Sequence, residues 1–248
     1  MKDNFSLQSN QYARFRPSYP DEVFEFLLSR IPGKQHAWDC GTGNGQVAKK
    51  LSQYFERLFA TDISQAQIDN AHHEDNIEYS IQPAEHTDFQ NRFFDLVTVG
   101  QAVHWFDFER FYKEVYRTAR EGALICILGY GKIEISPAID EVINDFYHHV
   151  IGKYWDKERR YIDEQYRTIP FPFEEISVPQ FDNVHHWDFK HLIGYINTWS
   201  AVKHFIRQNG KNPVDKLETR LKPLWTTETK VVKFPVLIRV GIIRHKEQ

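Results

Sequence analysis

The chain has 248 residues, a formal net charge of −3, and 41% hydrophobic and 15% aromatic side chains. That is ample apolar material for one α/β domain, or for one domain with a large insertion. The slight negative charge offers no basic field for nucleic acid, no apolar run is long enough to span a bilayer, and the polar start Met1-Lys2-Asp3-Asn4-Phe5-Ser6 lacks the apolar stretch of a signal peptide, so a soluble, cytoplasmic monomer or homodimer is expected.

Residues 1–20 are polar and aromatic, and Arg16-Pro17 and Tyr19-Pro20 break any helix. From Asp21, apolar residues at Phe24, Leu27, Leu28 and Ile31 follow the helical i, i+3, i+4, i+7 pattern, which Pro32-Gly33 stops. His36 to Cys40 reads as a buried strand, followed by a glycine-rich loop. Val47, Leu51, Tyr54 and Phe55 mark the next helix face, and Arg57 to Thr61 the next strand. Ser64-Gln65-Ala66-Gln67 has the capping-box pattern that opens a helix. Phe94 to Gly100 is strand-like, Phe108, Phe111, Tyr112 and Val115 give a helix stripe, and after one strand position left without a segment Ala123 to Leu128 is the fifth strand. This alternation implies a doubly wound, mostly parallel sheet.

After Gly131 the texture changes. Residues 136–169 read as helical and are crowded with Tyr, Trp, His and charge; Thr168 to Phe173 is a connector. Glu175 to Phe189 is strand-like, Lys190 to Gln208 helical, Pro213 to Trp225 amphipathic, and Val231 to Arg244 a long β-rich segment. The expected organisation is an N-terminal segment over 1–20, a core over 21–131, and a helical insertion with closing strands over 132–248.

The stretch Asp39-Cys40-Gly41-Thr42-Gly43-Asn44-Gly45 carries the chemistry. In open α/β sheets, ligands bind beyond the carboxyl ends of the strands, where this loop lies. A dinucleotide fingerprint G-x-G-x-x-G would put its third glycine at position 46, which is Gln46. Asp39 ahead of the loop is a poor neighbour for a pyrophosphate and a good partner for an ammonium group. S-adenosyl-L-methionine carries an ammonium and a sulfonium, so charge complementarity favours it over a nicotinamide cofactor. Asp62 lies 21 residues after Gly41, at the end of the second strand, where its carboxylate can accept both ribose hydroxyl protons.

No metal is expected. The pairs His72-His73, His148-His149 and His185-His186 point their neighbours apart, no H-E-x-x-H occurs, and Cys40 and Cys126 form no CxxC pair.

These motifs, with Asp62-Ile63-Ser64, Pro83-Ala84-Glu85 and Phe94-Asp95-Leu96-Val97 in the same order, resemble the class I S-adenosylmethionine-dependent methyltransferases. Gln101-Ala102-Val103-His104-Trp105-Phe106-Asp107 and Tyr12-Ala13-Arg14-Phe15-Arg16-Pro17-Ser18-Tyr19-Pro20 are similar to the trans-aconitate methyltransferase-like small-molecule subgroup, as is Thr198-Trp199-Ser200-Ala201-Val202 more weakly. The resemblance implies a Rossmann-like seven-stranded sheet with an antiparallel last strand. It implies Asp39, Gly41, Thr42, Gly43 and Gly45 at the methionine part of the cofactor, Asp62 at the ribose, and Ile63, Ala84 and Glu85 around the adenine. Many relatives carry an Asp where Pro83 stands, so Gln82 or Glu85 would have to take over that contact. Gln101 and Ala102 would lie beneath the methionine, and Tyr12, Arg16 and Tyr19 would belong to a lid over the cofactor.

Methyl transfer to a small-molecule acceptor, with S-adenosyl-L-homocysteine as product, is the activity implied. The subgroup tilts the acceptor toward a carboxylate, which needs no base; an amine or carbon acid would need one, and His104 is the candidate. Tyr19, Trp105, Trp155, Trp199 and Lys203 are candidate acceptor-pocket residues, as are Tyr154, Tyr195, His204 and Phe205, and Lys203 shares one predicted helix face with Arg207 at i, i+4 spacing. N- or C-methylation, and a non-catalytic S-adenosylmethionine-binding protein, are the rival readings.

Overall fold

The computed structural model describes residues 14–245; Tyr12 therefore lies outside the described residues. Strands β1 (His36–Cys40), β2 (Arg57–Asp62), β3 (Ile77–Ile81), β4 (Phe94–Gly100) and β5 (Ala119–Tyr130) pair in parallel. β6 (Glu174–Ile176), β7 (Asp182–Asp188) and β8 (Thr229–Ile242) complete the sheet, and β8 runs antiparallel to β5, β6 and β7. The order is β3-β2-β1-β4-β5-β8-β6, with β7 also on β8. The sheet is thus Rossmann-like and mostly parallel, with an antiparallel last strand.

Two strands depart from the pattern read in the sequence. β3 is half exposed along its length and lacks the continuous apolar run of its neighbours, so periodicity does not reveal it. The strand-like run from Glu175 is broken around Pro179 into β6 and β7; between Ile176 and Asp182 this side carries one residue more than the β8 stretch it faces. A proline cannot donate to the ladder, and an extra residue makes a bulge.

Helices cover both faces. On one, α1 (Asp21–Leu28) and α2 (Gln46–Ser52) pack Val23, Phe24, Leu27, Val47 and Leu51 against Leu58, Leu96, Leu124, Cys126 and Leu128. Full burial of Phe24 or Leu27 stabilises by roughly 1.5–3 kcal/mol each. A short α3 (Gln65–Ile68) follows β2, and Ser64 Oγ accepts the Gln67 N–H at 3.3 Å, as the capping pattern requires. On the other face, α4 (Phe108–Thr118) is capped by Asp107, whose carboxylate accepts the Arg110 N–H, and sets Phe111, Tyr112 and Val115 against Trp38, Val97, Val99 and Ile125. Consecutive strand residues point to opposite faces, which is why Leu96 and Val97 serve different cores.

The helical insertion is α5 (Pro137–Asp145), a single π-helical turn at Phe146–Val150, and α6 (Arg160–Asp163). The segment expected as one helix from Lys190 divides at Thr198 and Trp199 into α7 (Phe189–Asn197) and α8 (Ser200–Asn209); α9 (Val214–Leu221) follows. Together they form a third core, with Phe146, Tyr147, Trp187, Tyr195, Trp199 and Leu217 packed on Val232 and Phe234 of β8. Asp95, in the Phe-Asp-Leu-Val motif, is buried and accepts the Gln35 and His36 N–H groups and the Arg120 guanidinium, which ties β1, β4 and β5 together at their amino ends.

Candidate active site

The carboxyl ends of β1, β2, β4 and β5 converge on one cavity, lined among others by Arg16, Asp39, Gly41, Asn44, Asp62 and Gln101. The loop between β1 and α2 shapes its floor. Gly41, Gly43 and Gly45 all have positive φ, at 65°, 56° and 79°, a region costly for other residues. At Gly41 a Cβ would also sit 2.7 Å from Ala102 Cβ, and at Gly45 it would run into the Tyr79 hydroxyl.

Asp39 is buried at the base of this cavity. Thr42 donates to its Oδ2 at 2.6 Å and Thr98, its partner across the β1–β4 pairing, to Oδ1 at 2.8 Å. Burial nevertheless outweighs these bonds and pushes its carboxyl up to about 6. Asp62 closes β2, and its Oδ2 accepts the Gly43 N–H and its Oδ1 the Ser64 N–H, each at 2.9 Å. Gln101, just beyond β4, is left-handed at φ 55° and hydrogen-bonds its own N–H to Leu128 and its side-chain amide to the Tyr130 carbonyl. A non-glycine residue held this way costs of order 1–3 kcal/mol and is typical of functional sites.

A second cavity adjoins the first. Arg16, Gln101 and Trp105 line both; His104, Trp155, Asp156, Arg159, Ile162, Trp199 and Ser200 line the second alone. Arg16 is held by Thr198, which takes Nε at 2.9 Å on its hydroxyl and Nη2 at 3.2 Å on its carbonyl, and by the Tyr130 hydroxyl at 3.1 Å from Nη1. Its guanidinium also lies 5.4 Å from the Tyr195 ring centre. Phe15 packs edge-on to His191, and the Asn183 amide holds the Ser18 carbonyl. The described part of the N-terminal segment is thereby fastened across the helical insertion.

His104 is buried, with the Tyr166 hydroxyl 3.4 Å from Nδ1. Burial, reinforced by the Arg159 guanidinium, pushes it down to about 3. The sequence alone places a histidine in the useful range for a base; this environment leaves the imidazole neutral and weakly basic.

The methyltransferase domain family matches residues 38–127. A Dictyostelium discoideum protein described as a methyltransferase is 36% identical over 243 residues, covering 94% of this chain and 92% of its own length. The chain belongs to the class I S-adenosylmethionine-dependent methyltransferases. A structure described as a type II methyltransferase from Anaeromyxobacter dehalogenans superposes with a TM-score of 0.86 at 36% identity, covering 94% of this chain and all of that one. A Haemonchus contortus phosphoethanolamine N-methyltransferase, solved with phosphomonomethylethanolamine and S-adenosylhomocysteine, shares the fold alone, at 16% identity and a TM-score of 0.51, covering 97% of this chain and 58% of that one.

The first cavity of this methyltransferase fits its family's cofactor. Two carboxyl side chains line it, Asp39 just ahead of the glycine loop and Asp62 at the end of β2, the loop glycines allow close approach, and the buried Asn44 side-chain nitrogen has no hydrogen-bond partner among the described residues. Arg16, Tyr19, Asp39, Gly41, Thr42, Gly43, Asp62, Ile63, Gln101 and Ala102, all expected from the sequence, line it. Gly45 shapes the loop from behind. Ala84 and Glu85 are not among the lining residues: Ala84 is buried in the core, and Glu85 accepts the Asp107 N–H at 3.0 Å. Gln82 is engaged as well, with Ser80 and Asp88.

Of the residues expected in the acceptor pocket, Trp105, Trp155 and Trp199 line the second cavity. Tyr19 lines the first, and Lys203 lines neither; burial and the nearby Arg16 charge bring its ammonium down to about 8. Sequence reasoning missed Asn44, Gln67 and Tyr130 in the first cavity, and Asp156 and Arg159 in the second. Asn44 had a signal, as a member of the glycine loop itself, and Tyr130 lies just past the expected end of the fifth strand. Among the described residues no helix is long and apolar enough to cross a membrane, and no His/Cys/Asp/Glu cluster could hold a metal ion.

Proposed function

We propose that the enzyme methylates a carboxylate oxygen of a small molecule, and that the second cavity receives this acceptor. The observation that carries this is the junction of the two cavities at Arg16, Gln101 and Trp105, with the guanidinium groups of Arg16 and Arg159 on the acceptor side and a neutral His104 between aromatic walls. Arginine attracts and orients an oxyanion, and three indoles exclude water. A carboxylate is already ionised, so it needs no base, whereas an amine or carbon acid would ask of His104 a basicity it lacks.

In the cofactor cavity, Asp39 would hold the methionine ammonium, Asp62 the ribose hydroxyls, and Ile63 the adenine face, while the Gly41, Thr42 and Gly43 backbone and Gln101-Ala102 cradle the methionine chain. When bound, S-adenosyl-L-methionine supplies an electrophilic sulfonium methyl: an acceptor lone pair takes the methyl, the C–S electrons stay on sulfur, and S-adenosyl-L-homocysteine leaves. The protein's part is to hold the acceptor oxygen in line at the cavity junction and keep water out. Residues 14–19, fastened by Arg16, would serve as a lid. The bonding of Arg16 to Thr198, beside the pocket-lining Trp199 and Ser200, joins the segments that resemble the trans-aconitate methyltransferase-like subgroup and supports that placement.

Incubation with methyl-labelled S-adenosyl-L-methionine and a panel of small carboxylic acids tests the reading. Base-labile methyl esters are expected. Label found only in base-stable products from amines or carbon acids would overturn it.

A further inference from the structure

We infer that β3 pairs with the same strand of a second copy of the chain about a two-fold axis, joining two sheets edge to edge. β3 ends the sheet and pairs with β2 alone. Two bonds fix which of its residues face outward. The Leu58 N–H donates to the Asn76 carbonyl at 2.9 Å, and the Gln82 N–H to the Asp62 carbonyl at 3.1 Å. Alternate residues of a strand bond to one neighbour, so Asn76, Glu78, Ser80 and Gln82 serve β2, while Ile77, Tyr79 and Ile81 turn their N–H and C=O groups to the open side. Among the described residues, only the Ile77 N–H meets a backbone partner on that side, the Glu74 carbonyl at 3.1 Å. An open row of backbone donors and acceptors is a template for another strand.

The run Ile77-Glu78-Tyr79-Ser80-Ile81 is complementary to itself. In an antiparallel pair centred on Tyr79, each Ile77 faces an Ile81, each Glu78 faces a Ser80, and Tyr79 faces its own copy. The residues with outward backbone groups are then the ones that exchange hydrogen bonds. Ile81 is 51% exposed, and the pairing covers it with a branched apolar side chain at both ends of the contact. Glu78 lies 2.7 Å from Arg57 on β2, which offsets the diagonal approach of the two carboxylates. The Tyr79 hydroxyl stays engaged with the His72 carbonyl at 2.6 Å, so this residue offers its backbone alone. The neighbouring symmetric registers are worse. Centring on Glu78 sets two carboxylates directly opposite each other. Centring on Ser80 brings Pro83, which has no N–H, opposite Ile77. An unrelated strand would share none of this symmetry, whereas a two-fold contact uses the same patch on both subunits.

Sedimentation velocity of the full chain from about 1 to 500 μM, a range that brackets a micromolar Kd, tests the inference. A reversible monomer–dimer equilibrium is expected in wild type. Ile81→Lys places a charge in the pair, and Ile81→Pro removes an N–H that the monomer's own ladder does not use. Each should raise the dimer Kd at least about tenfold, with the unfolding midpoint and S-adenosyl-L-homocysteine affinity close to wild type. Cross-linking reads the register. Mild oxidation of a mixture of Ile77→Cys and Ile81→Cys proteins should give a disulfide-linked dimer, because those positions face each other. Neither protein alone should do so, since its own cysteines are offset by four residues along the pair, and Cys40 and Cys126 are buried. Should an Ile81 variant unfold, the cross-linking result decides. A wild type that sediments as monomer throughout, a dimer that survives both Ile81 variants, or a mixture that cross-links no better than either protein alone would overturn the inference.

Discussion

Asp62 Oδ2 accepts the Gly43 backbone N–H at 2.9 Å, which ties the end of the second strand to the glycine loop after the first. The carboxylate thereby fixes the loop, and the same side chain lines the cavity. One residue thus positions the backbone on which the methionine part of a cofactor would rest and presents an acceptor to its ribose.

Asp39 should make cofactor affinity pH-dependent. Burial raises its carboxyl to about 6 in the protein, and only the ionised form attracts an ammonium. Binding at low pH must therefore expel a proton. Between pH 7 and pH 5, S-adenosyl-L-homocysteine affinity should fall about tenfold, with proton release on binding. Calorimetry in buffers of different ionisation enthalpy checks this; Asp39→Asn should bind weakly with little dependence on pH.

Gly45→Ala should destabilise the fold. The position has φ 79°, and an added Cβ meets the hydroxyl of Tyr79, which is itself bonded to the His72 carbonyl at 2.6 Å. A loss of about 2 kcal/mol is expected from the strained backbone and the displaced tyrosine, measured by denaturant unfolding. An unchanged midpoint would mean that the loop relaxes freely.

His104 should leave its mark on stability and not on the rate. Its folded-state pKa of about 3 lies below the ordinary histidine value, so the unfolded chain binds the extra proton between them. Its contribution is therefore intact above about pH 6.5 and is lost as pH falls toward 3. From pH 7 to pH 5 this residue alone should remove about 2 kcal/mol, and His104→Gln should flatten that part of the curve. The same variant should keep cofactor affinity and most of kcat with a carboxylate acceptor. A rate that follows a group titrating near 6.5, and loses that limb in His104→Gln, would restore the histidine as a base.

The cofactor half of the fold was legible because each of its features is local. Apolar runs mark β1, β2, β4 and β5, and Asp39, Gly41, Gly43 and Asp62 lie at fixed distances from the strand ends. β3 escaped because a half-exposed edge strand carries no continuous apolar run. The acceptor side was legible only as aromatic richness. Arg159 sits in an irregular insertion with no motif, and its place beside Gln101 and His104 depends on how α6 and α8 pack over the sheet. Lys203 shows the converse: a charge at helical spacing looked like a pocket residue, yet it lines neither cavity. The state of His104 was hidden for the same reason, since burial and not residue type sets its proton affinity.

Asp39, the glycine loop and Asp62 together would form the S-adenosylmethionine site. Calorimetric titration of S-adenosyl-L-homocysteine into wild type and Asp62→Ala tests it most directly. The account predicts one site in wild type and an affinity lower by about 100-fold in the variant, which loses the ribose acceptor and leaves the Gly43 and Ser64 N–H groups without their partner. Equal affinity in the two proteins would contradict it.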